Sequence, residues 1–114
     1  MAKDDYFVIS YRILIYLYGC LKEGQLASLE YLRYDTDDFP VKKDYWQYIL
    51  RHLYEEGFIE GVVLIPILGQ NIKGIKLTDQ LTITPKGIAY LQENSTMQKA
   101  KAFLKDLKEI IPGM

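Results

Sequence analysis

With 114 residues, 49% of them apolar and 25% charged, the chain has the length and mixture of one globular domain that can bury a single core. One cysteine, Cys20, excludes an internal disulfide, and with a single histidine, His52, it excludes a zinc set drawn from this chain alone. The net charge of −1 excludes a general electrostatic pull toward nucleic acid, so any such binding has to come from a local patch.

The charge is unevenly divided. Residues 1–60 carry seven basic and eleven acidic groups, whereas residues 61–114 carry seven basic and four acidic. A first helix is predicted over 5–21, apolar around most of its circumference and therefore central. Its apolar run holds Ser10 and Arg12, which makes it too short and too polar for a membrane span. Asp4 and Asp5 offset Lys3 where a secretory leader would be basic. The expected location is the cytoplasm, with no membrane partner, and Cys20 reads as a small core residue. Gly24 is placed to supply the left-handed cap.

A short second helix is expected after Ser28, a good N-cap, with Leu29, Tyr31 and Leu32 on its inner side. Residues 34–40 form a polar loop that Pro40 keeps from becoming helical. A third helix is predicted over 42–56. Trp46, Ile49, Leu50 and Leu53 recur at helical spacing on one face, and Gly57 stops it with Phe58 folding back.

Past Gly57 the pattern becomes that of a strand, over 58–68, with Pro66 marking an edge or a bulge. A glycine-rich turn leads to a return strand over 75–84, where Leu77, Leu81 and Ile83 can face inward. Thr84-Pro85 opens a fourth helix as N-cap and first helical residue. A last helix is predicted over 95–111. Its stripe of Met97, Ala100, Leu104, Leu107 and Ile111 can dock on the domain or join two copies as a dimer interface.

The fold class this predicts is α+β, a winged helix-turn-helix: three helices, a β-hairpin wing and two C-terminal helices, in one domain over 1–114. The third helix then occupies the position that enters the major groove in DNA-binding members of that fold.

Three blocks carry a likeness to a known family. The first is Asp5-Tyr6-Phe7 with Tyr11, Ile13, Leu14 and Tyr16-Leu17-Tyr18. The second is Tyr45-Trp46 with Leu53-Tyr54-Glu55-Glu56-Gly57-Phe58-Ile59, and the third runs from Ile83-Thr84-Pro85-Lys86-Gly87 to Asn94-Ser95. With the tail from Ala100-Lys101 to Pro112-Gly113, the chain resembles the YjcQ-like family of small winged-helix proteins of Gram-positive bacteria and their prophages. The resemblance implies a winged-helix domain of bacterial or phage origin. It implies no catalytic residue.

Motifs for chemistry are weak. Gly69 and Gly74 have the outer spacing of a phosphate loop, but Ile75-Lys76 follows, so the lysine is displaced and the hydroxyl is missing. Asp35, Asp37 and Asp38 lack the glycine and glutamate of a calcium loop. No nucleophile–base pair is recognisable, so the expectation is a protein that is not an enzyme and needs no cofactor or metal.

The candidate site is the polar surface of the winged helix. Lys43, Gln47 and Arg51 are spaced by four on the third helix and share a face, with Tyr48 toward the exposed side. Lysine and arginine meet phosphates, and glutamine and arginine can also read base edges. Gln70, Asn71, Lys73 and Lys76 on the wing could reach a neighbouring groove or backbone. Asp44 and Glu55 on the same helix face repel phosphates. Two readings therefore stand: double-stranded DNA binding by a bacterial or prophage transcriptional regulator, or a protein–protein interaction module on the same scaffold. Exposure of the apolar wing strand, with no basic patch near the third helix, favours the second.

Overall fold

A computed structural model describes residues 6–66, 69 and 73–94, with Lys73 described by its backbone alone. The elements are α1 (Tyr6–Glu23), α2 (Lys43–Glu55), β1 (Ile59–Pro66), β2 (Lys73–Ile83) and α3 (Pro85–Glu93). The described part is thus α+β, with three helices and one two-stranded antiparallel sheet.

Helix α1 is the axis of the core. Every residue from Val8 to Leu17 is buried, so its whole circumference is covered over those turns. It packs against α2, α3 and β2. It ends in a Schellman motif, with the Gln25 N–H bonded to the Cys20 carbonyl at 2.9 Å and the Gly24 N–H to that of Leu21 at 3.2 Å.

The expected second helix does not form. Ser28 does start a turn: its Oγ accepts the Tyr31 N–H at 3.2 Å and its carbonyl the Leu32 N–H at 3.1 Å. The chain then leaves helical geometry and stays irregular to Lys42, with Asp35 at φ +58°. Packing decides this. Phe39 is fully buried, 5.4 Å from the ring of Tyr31 and 5.0 Å from that of Trp46. A continued helix would carry residues 34–38 away from the core and leave Phe39 unable to reach it. The loop is tied down instead by the Asp35 N–H on the Val41 carbonyl at 2.8 Å and by Arg12, whose buried guanidinium donates to the Asp38 carbonyl.

Helix α2, the one expected as the third, buries Trp46, Ile49, Leu50 and Leu53, the predicted inner face. Gly57 at φ +82° ends it, and the Phe58 N–H bonds the Leu53 carbonyl at 2.9 Å. Strand β1 then pairs with β2 from Ile59↔Ile83 to Pro66↔Lys73. The irregularity in this ladder is at Gly61 and not at Pro66. Between Glu60↔Thr82 and Val62↔Leu77, a single residue of β1 faces four of β2. Gly61 stands at φ +85°, and a Cβ there would lie 2.1 Å from the Gln80 carbonyl oxygen, so only glycine fits. Thr78 Oγ1 closes the bulge on the Gly61 carbonyl at 2.6 Å.

Thr84 caps α3 as expected, its Oγ1 accepting the Gly87 N–H at 3.2 Å while donating to the Gly57 carbonyl. One hydroxyl so joins the end of α2 to the start of α3. Gly87 permits the close approach, since a Cβ would meet the Phe58 carbonyl oxygen at 2.5 Å. The predicted helix over 95–111, with Met97, Ala100, Leu104, Leu107 and Ile111, lies outside the described residues.

Candidate nucleic-acid interface

Helix α2 carries a charge gradient. Lys42 and Lys43 are exposed at its start, with Asp44 beside them, and Glu55 and Glu56 are exposed at its end. Lys42 stands at the N-cap in extended geometry, and its side chain makes no capping bond. The positive end of the peptide dipole and two lysines therefore coincide.

Gln47, one turn beyond Lys43, faces β2. Its Oε1 accepts the Ile75 N–H at 2.8 Å, across 28 residues of chain. This bond lays the strand that carries Lys76 beside the turn that carries Lys43. It also occupies one of the two lone pairs of the side chain's oxygen, so Gln47 offers a partner mainly its two amide N–H donors. Lys76 is exposed next to Ile75 and directly across from Val63. Lys73 belongs to β2, at the register position opposite Pro66. Gln70 and Asn71 lie outside the described residues.

Arg51 is spent locally: its Nε lies 3.4 Å from a Glu55 oxygen, one turn on. Its guanidinium also sits 5.7 Å from the Tyr48 ring. Tyr48 is 46% exposed and packs against the tilted ring of His52 at 4.2 Å, with Tyr6 of α1 edge-on at 6.3 Å. Of the four residues proposed on this helix, the structure thus leaves Lys43 and Tyr48 most open, ties Gln47 to the hairpin and pairs Arg51 with Glu55.

Three contributors were not singled out from sequence. Lys42 reads only as the first residue of the predicted helix, and its position becomes informative once the N-cap is located there. His52 could have been found from its spacing of four to Tyr48. Nothing in the sequence places Tyr6 beside Tyr48, because that contact joins two helices.

Elsewhere the chemistry is quiet. Burial pushes the Cys20 thiol above its ordinary pKa, which lowers its thiolate fraction. Burial pushes Tyr16 up to about 12, against the opposing effect of the Ser28 N–H that its hydroxyl accepts at 2.9 Å. Among the described residues there is no group of three His, Cys, Asp or Glu that could hold a metal ion. No described helix is long and apolar enough to cross a membrane.

A small α+β chain that sets an antiparallel hairpin against a helix with an exposed polar face defines the class. The model of the YjcQ protein family matches residues 11–110, and the chain belongs to that family. No match to a curated protein or to a solved structure was found.

Proposed function

We propose that this chain is a non-catalytic winged-helix protein that binds double-stranded DNA and regulates transcription of a bacterial or prophage genome. In this reading α1, the turn at Ser28 and α2 are the helical part, the hairpin is the wing, and α2 is the recognition helix. The observation that carries it is the Gln47–Ile75 bond, which brings a lysine-bearing strand beside the lysine-bearing start of α2. Recognition helices contact DNA mainly through their N-terminal residues. The acids Glu55 and Glu56 lie at the far end, where they do not face the phosphates. Lys42, Lys43 and Lys76 meet phosphate, and Tyr48 with the donors of Gln47 face the groove.

The test is fluorescence anisotropy of a labelled random duplex, titrated at low and then at physiological salt. Binding that weakens steeply with salt is expected, and the paired change Lys43→Glu with Lys76→Glu should weaken it on the order of tenfold or more. Wild-type protein that does not bind even at low salt overturns this reading.

A protein-interaction role is the second reading, and one observation favours it. Val63 and Ile65 of β1 are 50% and 42% exposed, an apolar strip on the wing itself.

A further inference from the structure

The hairpin has two outer edges that differ in occupancy. In an antiparallel pair each residue points its N–H and C=O together, either toward the partner strand or away from it. The Ile75 N–H reaches Gln47, so Ile75 points away from β1, and its register partner Leu64 points away from β2 on the other side. Val62, opposite Leu77, does the same. No described residue bonds the outward groups of Val62 and Leu64. The intervening and following side chains, Val63 and Ile65, are the exposed ones. The stretch 61–66 carries no charge, although edge strands are commonly defended by lysine. Pro66 blunts only its last position.

We propose that β1 pairs antiparallel with β1 of a second copy about a two-fold axis at Val63, joining two hairpins into one four-stranded sheet. The register points to a second copy. With the axis at Val63, Val62 and Leu64 of one protomer exchange bonds with Leu64 and Val62 of the other, so the outward groups of both residues find partners at once. The contact is self-complementary, as a two-fold interface must be, and an uncharged strand meets its own copy without repulsion. Val63 packs against Val63, and Glu60 lies beyond the bulge. This pairing does not depend on whether α2 binds DNA.

Sedimentation over a micromolar-to-millimolar series should show a monomer–dimer equilibrium. Val63→Lys, at an exposed position, should abolish the dimer and leave the circular dichroism unchanged. Val63→Cys should cross-link to itself under mild oxidation, because a non-hydrogen-bonded antiparallel pair has its Cα atoms about 4.5 Å apart, within disulfide reach. Ile65→Cys, four residues from its own copy along the strand, should not. Three results overturn the proposal: a wild-type monomer at every concentration, a dimer that Val63→Lys leaves intact, or Ile65→Cys linking as readily as Val63→Cys. The second would direct attention to Met97, Leu104 and Leu107.

Discussion

Helices α1 and α2 carry similar shares of aromatic residue, five of 18 against four of 13, yet α1 is the richer in aliphatic residues and the two are put to opposite uses. Twelve of the 18 residues of α1 are buried, against four of the 13 in α2. A helix covered on all sides has no surface left to offer a partner. A helix covered on one stripe has most of its length to offer. Substitutions in α1 should therefore read out as stability, and substitutions on the outer face of α2 as binding.

The largest expected effect tests the buried side of that contrast. Leu14→Ala, at the fully buried centre of α1, should cost about 2–5 kcal/mol in denaturant unfolding. Tyr48→Ala on α2 should stay within about 0.5 kcal/mol. Equal losses would mean that the aromatic group around Tyr48 belongs to the core. Gln47→Ala should fall between them, at about 1–3 kcal/mol, because it leaves the Ile75 N–H without its acceptor. The same variant should weaken duplex binding although the lysines are untouched, since the hairpin loses its tie to α2. Unchanged stability together with unchanged binding would remove Gln47 from the site.

The smallest effect is in pH. Burial raises the pKa of Tyr6, Tyr11 and Tyr16, all on α1, and the fold favours the neutral phenol in each. The contribution of Tyr16 to stability is whole below its ordinary value of 10.0 and is lost as pH climbs toward about 12. Phenolate absorbance of native protein should therefore rise later than that of unfolded protein, and unfolding should become easier in that interval. Coincident titrations in the two states would contradict the burial of these rings.

What could be read from sequence was mostly local. Gly24, Gly57 and the pair Thr84-Pro85 mark helix ends through chemistry confined to a few residues, and each sits where expected. The inner face of α2 follows from spacing alone. Three features were out of reach, each for the same reason. The short second helix gives way because Phe39, eleven residues after Ser28, has to reach Trp46. Gly61 needs its glycine because of a carbonyl on the other strand. Gln47 turns from a candidate base reader into a tie for the hairpin through an N–H 28 residues away. Propensity and periodicity carry no information about such partners. The described α+β architecture was legible; which polar side chains stay free for a partner was not.

Thr84 has a consequence of a mechanical kind. Its hydroxyl holds the Gly57 carbonyl and the Gly87 N–H together, so the stop of α2 and the start of α3 share one atom as their pivot. A displacement of α2 along its axis pulls on α3 through two bonds, by a route that bypasses the hairpin. Valine has the shape of threonine without the hydroxyl, so Thr84→Val would remove this shared pivot and leave the Thr84 N–H on the Phe58 carbonyl, at 3.0 Å, as the remaining tie between the two helix ends.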